Sequence, residues 1–264
     1  MDDDAVSASM TDQGDRPANI LSSTQKTLAL LETLASLPRP YGVSELARVV
    51  GSSRGTVHKQ LATLVASGWV EQDGQGRYGL GLLAVRVGNT ALQHAGLGQK
   101  IQNVLEGLVA VTGETATIAA VHRDSGLIIQ RAESDQVLSA DIRVGTRIPL
   151  NVGASNHVLL TFAITEEQRH DLRRRGVELP SEEYLAGIAE SGVAFTRREF
   201  VDGIDAVSIP LQHQFDFKTT ALTLAGPSGR IHPDSAERAL RAARERILAL
   251  AASRVPKLRD ASGD

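Results

Sequence analysis

Residues 43 to 69 read VSELARVVGSSRGTVHKQLATLVASGW, and this stretch decides the fold of the N-terminal part of the chain. On each side of Gly51 apolar residues recur at helical spacing, so the stretch predicts two helices that meet at this glycine. The residues predicted to face inward are Leu46, Val49 and Val50 in the first helix, and Val57, Leu61, Leu64 and Val65 in the second.

The junction between these helices has the composition of a helix-turn-helix. Glycine adopts positive φ readily and lets the chain turn sharply at Gly51, and either Ser52 or Ser53 can cap the second helix. Only a small side chain fits where two helices cross closely, and Ala47, four residues before the glycine, supplies it. Val57 follows six residues after the glycine and packs back into the junction. These offsets favour a helix-turn-helix over an unrelated helical hairpin.

In a helix-turn-helix the second helix enters the major groove, so its exposed N-terminal face is the candidate DNA-binding surface. Arg54 can contact guanine edges with two hydrogen bonds and Gln60 can pair with adenine, whereas serine, threonine and lysine suit phosphates. Each polar residue taken singly also fits an ordinary solvated helix face. The predicted DNA-binding residues on this helix are Ser52, Ser53, Arg54, Thr56, His58, Lys59 and Gln60.

Two flanking segments complete this domain. Residues 24–37 predict an amphipathic helix, and its inward residues are expected to be Leu28, Leu31, Leu34 and Ala35. After the helix-turn-helix, the segments WVEQ and RYGL predict the two strands of a β-hairpin, or wing, with Val70 and Tyr78 facing inward. Arg77 lies at the edge of this wing and is a further candidate for contact with a phosphate or a minor groove.

The turn of this hairpin contains Gly74, Gly76 and Gly79, which match the G-x-G-x-x-G motif of dinucleotide-binding folds. That motif needs a helix opening within it and an acidic residue about 20 positions later. Here Tyr78 continues a strand and the residue 20 positions after the last glycine is Gln99. We therefore interpret the triplet as a turn, and we predict no cofactor.

Composition limits the other functions. The chain has 264 residues and no cysteine, so disulfides and thiolate metal sites are excluded. No two of its seven histidines are three or four residues apart, as helical metal-ligand pairs are, and no metal site is predicted. The acidic start differs from a signal peptide, and no apolar run approaches the roughly 20 residues of a membrane span. A cytoplasmic protein without a membrane segment is expected.

Charge is distributed unevenly along the chain. Residues 20–95 carry seven basic and four acidic side chains, a balance of +3, whereas residues 96–264 carry 20 basic and 22 acidic side chains, a balance of −2. A small basic segment beside a larger acidic body indicates that the small part meets a polyanion. Residues 1–20 are acidic and poor in large apolar side chains, which predicts a disordered tail.

The rest of the chain predicts an α+β domain with an antiparallel sheet, because strands in hairpins alternate with groups of helices. Residues 81–112 predict a long helix that breaks near Gly96 and Gly98. Strands are predicted at ATIAAV, LIIQRAES, VLSADIRV, VAFTR, GIDAVSIPL and TTALTLAG, with a turn at residues 124–126 between the first two. Helices are predicted at residues 155–164, 165–175, 181–191 and 233–253.

The order of these elements resembles the IclR family of bacterial transcriptional regulators over residues 24–255. The motifs that carry the resemblance are GRYGLG, LLAVRVGNTAL, TGETATIAAV, VGTRIPL, EFVDGIDAVSIPL and ALTLAGPSGRI. The resemblance implies a winged helix-turn-helix at 21–80, a linker helix at 81–98, a GAF/PAS-like effector-binding domain at 99–255 and a flexible tail at 256–264. It also implies dimers or tetramers that bind palindromic DNA operators, most often as repressors, and that sense a small organic or aromatic acid.

The candidate effector site lies where NVGASNHVLL opens a helix, because free backbone N–H groups at a helix start bind carboxylates. Gly153, Ala154 and Ser155 are expected to hold the ligand, with Asn151 and Asn156 nearby. An ordinary helix cap at Ser155 is the open alternative. Positions that in the family often carry an Asp, a Cys and two Ser fall here on Thr196, Ala206, Thr223 and Ala225, and Ser208 is included with them.

This loop departs from the family pattern. Asn151 stands where the family usually has a histidine, and Asn156-His157 replaces a usual Gly-Lys pair. Fewer polar anchors predict a roomier site and a larger, partly aromatic or apolar ligand.

Two functions of other classes stay open. An enzyme would use Ser155 with His157, or the carboxylates Glu199, Asp202 and Asp205. Catalysis is not favoured, because the first two residues are two apart at a helix start and no G-x-S-x-G elbow is present. A DNA-architectural protein without a ligand would leave the acidic body without a role.

Overall fold

The computed structural model describes residues 21–212 and 219–252, and the chain divides into two compact units between Ala84 and Val85. The tails predicted at 1–20 and 256–264 lie outside the described residues. The elements of the N-terminal unit are α1 (Ser22–Ser36), β1 (Tyr41–Gly42), α2 (Val43–Val49), α3 (Arg54–Ala66), β2 (Val70–Gln72) and β3 (Arg77–Leu80). Helix α4 (Leu82–His94) begins just before the boundary between the units.

The N-terminal unit is a winged helix-turn-helix. Its three helices pack on an antiparallel sheet of order β1-β3-β2, in which the hairpin β2-β3 is the predicted wing. The pairing of Tyr41 with Tyr78 adds the short strand β1, which the sequence pattern did not predict. Its buried core consists of Leu30, Leu34, Leu46, Ala47, Val57, Leu61, Leu64, Val70 and Tyr78.

Local contacts set the ends of the two central helices. The Glu45 carboxylate accepts a hydrogen bond from the Gly42 N–H at 2.9 Å, which holds the pKa of this carboxyl below its usual value. Gly51 has φ of 63° and forms the turn, as predicted. The Ser53 hydroxyl then accepts from the Thr56 N–H at 3.1 Å and caps α3. These contacts satisfy N–H groups that a helix start leaves without a partner.

Four residues predicted to face inward are exposed instead: Leu28, Ala35, Val49 and Val65. The inward stripe of α1 is centred on Leu30 and Leu34, one turn apart. Because a helix turns about 100° per residue, Leu28 lies far around the helix from Leu30. Isolated apolar residues at a surface are common, so the sequence pattern alone could not separate the two faces.

The C-terminal unit is an α+β domain around a six-stranded antiparallel sheet of order β6-β5-β4-β9-β8-β7. Its strands are β4 (Thr115–His122), β5 (Ser125–Ala132), β6 (Arg147–Pro149), β7 (Ala194–Arg197), β8 (Ile204–Gln212) and β9 (Thr219–Pro227). Its helices are α5 (Gln99–Thr112), α6 (Ala154–Phe162), α7 (Glu166–Arg174), α8 (Glu182–Ser191) and α9 (Pro233–Ala252). Gly96, with φ of 76°, lies in the predicted break between α4 and α5.

Both faces of this sheet are covered. On one face, buried residues of α5 and α9 such as Leu105 and Leu240 join Ile118 and Leu222 in one core cluster. On the other face, α6 and α8 pack against strand residues in a second cluster that includes Leu159. The central strand β9 is therefore buried along nearly its whole length, as sheets covered on both sides are.

Two local predictions in this unit are wrong. The segment VLSADIRV (137–144) is not a strand, because residues 147–149 occupy the place beside β5 and leave 137–144 as a connecting loop. Val137 and Leu138 are largely exposed in this loop. The first hairpin turns at residues 123 and 124 rather than 124–126, since His122 pairs with Ser125 and Arg123 takes a φ of 54°.

Gly81 is a position where the wing tolerates no side chain. A Cβ there would lie 2.7 Å from the Gly68 carbonyl oxygen, so Gly81→Ala should lower the free energy of unfolding by about 1 to 3 kcal/mol. Urea unfolding followed by the fluorescence of Trp69, the single tryptophan, measures this. Gly74→Ala is the matched control, because a Cβ at Gly74 meets nothing within 4 Å. Equal stability of the two variants would contradict the packing described.

Candidate functional site

The N-terminal half of α3 presents an uncompensated basic surface. Ser52, Arg54, Thr56, His58 and Lys59 are exposed, as predicted from the sequence, and Gln60 is half-buried. Within the described part of the chain, no carboxylate lies within ion-pair distance of Arg54 or Lys59. The Ser53 hydroxyl is committed to the helix cap, where it also contacts the Thr56 hydroxyl at 2.8 Å.

Arg77, which the sequence predicts to contact a phosphate or a minor groove, forms an ion pair within the wing. Its Nε donates to Asp73 Oδ2 at 2.8 Å, and the other oxygen of Asp73 accepts from the N–H groups of Gln75 and Arg77. These hydrogen bonds, led by that of the Arg77 N–H, lower the pKa of the Asp73 carboxyl. Arg77 thus stabilises the turn of the wing, and its charge is largely compensated there.

In the C-terminal unit, a small cavity of about 30 Å³ lies between the sheet and the start of α6. Seven residues of the predicted effector site line it, namely Gly153, Ala154, Ser155, Thr196, Ala206, Thr223 and Ala225. Seven further residues that sequence reasoning missed complete the wall, namely Thr117, Ile128, Ile142, Ile148, Phe200, Val201 and Ile204. The wall is thus apolar with a few polar groups, as ligand sites usually are.

The sheet register explains why residues distant in sequence meet here. Ala206 lies opposite Ala225 on one side and opposite Thr196 on the other. Thr117 lies opposite Thr223. Directly opposed residues of an antiparallel pair point to the same face, so these five side chains form one patch beneath α6.

Three hydroxyl groups of the cavity wall have no protein partner among the described residues, whereas the Thr223 hydroxyl contacts that of Ser208. Thr117, Ser155 and Thr196 are more than nine-tenths buried, and among the described residues their hydroxyl groups make no hydrogen bond. Gly153, with φ of 88°, precedes α6, and the N–H groups of Ala154 and Ser155 are in its first turn, where no carbonyl of the helix can accept from them. Buried donors without a partner are costly, and a bound polar molecule would satisfy them.

Three residues of the predicted effector site lie away from the cavity wall. Asn156 is fully buried, and its amide Nδ2 donates to the carbonyl oxygens of Ile148, Pro149 and Val152 at 2.7 to 3.1 Å, so it braces the preceding turn. Ser208 bonds to the Leu222 carbonyl and to the Thr223 hydroxyl inside the sheet. Asn151 approaches His157 through its carbonyl group, at 3.3 Å from Nε2.

A polar cluster at the rim of the cavity was not predicted as part of the site. Glu199 accepts from the Gly153 N–H at 3.1 Å and lies 3.5 Å from Nε2 of the buried His157. Nδ1 of His157 faces the Tyr184 hydroxyl at 3.3 Å. Burial, and secondarily the charge of Glu199, raises the pKa of Tyr184. The sequence indicated Glu199 and His157 only as candidate residues of the enzyme alternative, and not as neighbours at an effector site.

Two larger concavities exist in the same unit. One, of about 620 Å³, is lined by Lys100, Asn103, Val104, Arg246, Ala249 and Leu250. The other, of about 240 Å³, lies beside the ion pair of Glu114 with Arg230. Neither brings hydroxyl groups without a protein partner to a helix start, so the smaller cavity is the candidate effector site.

The comparisons with known proteins agree with this architecture. The IclR helix-turn-helix domain matches residues 23–74, and the C-terminal domain of the bacterial transcriptional regulator IclR matches residues 89–252. The chain belongs to the IclR family. The glycerol operon regulatory protein of Streptomyces griseus is 29% identical to it over 232 residues, which cover 83% of this chain and 90% of that protein.

Solved structures of IclR-family proteins share this fold. The IclR transcriptional regulator of Alicyclobacillus acidocaldarius has a TM-score of 0.76 at 24% identity, covering 89% of this chain and 99% of that one. An IclR homologue of Microbacterium hydrocarbonoxydans, crystallised with 4-hydroxybenzoate, has a TM-score of 0.75 at 19% identity, covering 88% and 100% of the two chains. In the described part of this IclR-family chain, no helix has the length and apolarity to cross a membrane.

Asn156 should act on stability in this IclR-family chain, not on ligand contact. Asn156→Ala removes the donor that three backbone carbonyls share, so the free energy of unfolding should fall by about 2 to 3 kcal/mol. Urea unfolding followed by circular dichroism measures it. Asn151→Ala is the control, because in the described structure its side chain makes no hydrogen bond, and it should change stability little. A stable Asn156→Ala protein would contradict the bracing role.

Proposed function

We propose that this IclR-family chain is a ligand-responsive transcriptional repressor that binds a palindromic DNA operator as a dimer or tetramer. The observation that carries the proposal is the exposed, uncompensated Arg54 and Lys59 surface at the start of α3. Cations without acidic partners at a helix start attract phosphate, and the helix dipole adds to this attraction. A DNA operator as partner implies a cytoplasmic location.

The contacts with DNA divide into two kinds. Arg54 is the proposed reader of a guanine edge and Gln60 of an adenine edge, whereas Ser52, Thr56 and Lys59 hold phosphates and position the helix. His58 lies on the same exposed face. Arg77 is a weaker candidate than the sequence suggested, since Asp73 already pairs with it.

Self-association is supported by an apolar surface that the described residues leave exposed. Helix α4 has no buried residue, and it exposes Leu82, Val85 and Val87. An exposed apolar helix face is typical of a surface that another chain covers. In a two-fold dimer the two recognition helices would enter successive major grooves, roughly 34 Å apart.

The effector is proposed to be an organic acid with an apolar or aromatic body. The N–H groups of Ala154 and Ser155 would donate hydrogen bonds to its carboxylate, and the wall of isoleucines and Phe200 would surround its body. Ligand pockets usually measure about 300 to 1,000 Å³, so the cavity of about 30 Å³ must widen on binding. The ligand would change DNA affinity only as far as it binds two states of the protein differently, typically by about 1 to 3 kcal/mol.

Catalysis has little support from the geometry. Ser155 and His157 share no hydrogen bond in the described structure, and His157 faces Tyr184 and Glu199 instead. A nucleophile needs a base within hydrogen-bond reach. Asp205 is buried, accepting from Ser228 and from the Gly229 N–H, as a structural carboxylate does.

Arg54→Ala should weaken binding to a matched operator by about 1 to 3 kcal/mol and relax its sequence discrimination. The operator is first selected from random duplexes with the wild-type protein, and affinities are measured by fluorescence anisotropy at fixed salt. Arg174→Ala, an exposed arginine of α7, is the matched control and should bind as the wild type does. Equal losses on operator and random DNA would mean that Arg54 contacts phosphate only.

Benzoate and 4-hydroxybenzoate should raise the melting temperature more than glyoxylate or pyruvate does, because only the larger acids fill an apolar wall. Thr117→Val keeps the side-chain shape and should weaken binding of 4-hydroxybenzoate by about 0.5 to 1.5 kcal/mol. Isothermal titration measures this, with Thr161→Val, a hydroxyl outside the cavity wall, as the control. Tight binding of glyoxylate or pyruvate alone would refute the proposed ligand class.

A further inference from the structure

Residues 198–203, which we call the cover loop, connect β7 to β8 and form the outer wall of the effector cavity. Phe200 and Val201 line the cavity, yet 38% and 42% of their surfaces are exposed. The same two side chains thus contact both the cavity and solvent. Any ligand larger than a water molecule or two must displace part of the wall, since the cavity holds only about 30 Å³.

The base of the cover loop is fixed to the sheet. The Arg198 N–H donates to the Ile204 carbonyl at 2.9 Å, and the Ser228 N–H donates to the Gly203 carbonyl at 2.7 Å. The Ser228 hydroxyl in turn donates to the buried Asp205 at 2.6 Å. Movement of the loop is therefore restricted to its middle, residues 199–202.

The middle of the loop is fastened to α6 by Glu199. Its carboxylate accepts from the Gly153 N–H at 3.1 Å and lies 3.5 Å from Nε2 of His157. In the described structure, Glu199 is the residue of the cover loop with a side-chain hydrogen bond to α6 or to the turn before it. Hydrogen bonds to an ionised group are stronger than those between neutral groups, so this contact stabilises the closed loop more than a neutral hydrogen bond would.

We propose that Glu199 is a positioning residue that holds the cover loop closed over the cavity, and that a ligand enters when its contact with Gly153 and His157 breaks. The Glu199 side chain is one-third exposed, so water can replace Gly153 as its partner at modest cost. The cavity walls on the sheet side stay in place during such an opening. This inference rests on the proposed effector role of the cavity, but its test needs no effector.

The absence of cysteine makes a direct test possible. The substitution Ser155→Cys puts a thiol of similar size in the cavity wall, and Ser208→Cys puts one in the fully buried sheet away from the wall. Alkylation by iodoacetamide, followed by intact mass, reports how often each thiol becomes accessible. When opening and closing are fast, the rate follows the population of the open form.

In the Ser155→Cys protein, Glu199→Ala should speed alkylation by about five- to thirtyfold, the effect expected of losing one charge-assisted hydrogen bond. Glu199→Gln, which keeps an acceptor for Gly153 but no charge for His157, should give an intermediate rate. Asp202→Ala is the matched control, because this exposed carboxylate of the same loop should leave the rate unchanged. The thiol of Ser208→Cys should stay equally slow in every background.

Two results would overturn the inference. One is an unchanged rate for Ser155→Cys in both Glu199 variants, and the other is equal acceleration at Ser208→Cys, which would mean that the whole unit loosens. Failure of the effector proposal is a separate result. If no acid binds but the Glu199 variants speed alkylation, the cover loop is supported and the effector proposal fails. If acids bind but the Glu199 variants leave the alkylation rate unchanged, only the role of Glu199 fails.

Discussion

The hydrogen bonds of the Asn156 amide hold the arrangement on which the proposed effector site depends. One buried side chain donates to the carbonyl oxygens of Ile148 and Pro149, at the end of β6, and of Val152, in the turn before α6. The turn can therefore pass through Gly153 at a φ of 88° and deliver the first N–H groups of α6 to the cavity. Without this brace the Val152 carbonyl would lose its side-chain donor, whereas the Pro149 carbonyl would keep the Val152 N–H. A buried polar group left without a partner costs more than most single hydrogen bonds contribute. Gly126 leaves room for the Asn156 side chain, because any side chain at position 126 would collide with Asn156 Oδ1.

The N-terminal unit could be predicted almost completely from the sequence, because its determinants are local. Gly51, Ala47 and Val57 lie within eleven residues of one another, and short-range periodicity suffices to place the helices around them. The sequence did not predict which face of each helix is buried there. Leu28 and Val65 were predicted to face inward, and both are exposed. A helix with apolar residues on more than one side does not reveal from sequence which side another element covers.

The wall of the candidate cavity was predicted only in part, for a physical reason. Ala206, Thr223 and Ala225 lie on strands whose alternation is visible, but the meeting of Thr117 with Thr223 depends on a pairing between distant strands. A register shift of one residue would turn Thr117 to the other face. Phe200 and Glu199 were harder still, since a loop has no periodicity that tells where its side chains point. Asn156 was assigned to the ligand because a polar residue near a helix start looks the same whether it binds a ligand or braces a turn.

Both proposals, the effector site and the cover loop, depend on the charges at the start of α6. The Glu199 carboxylate already takes the Gly153 N–H, and a ligand carboxylate at Ala154 and Ser155 would lie within the same helix turn. Two like charges so close repel each other, unless a cation or a proton separates them. We therefore expect an acidic ligand to loosen the hold of Glu199 as it binds, so that its charge as well as its size opens the cover loop. A neutral analogue of the same shape would lack this effect, and its entry would depend on spontaneous opening alone.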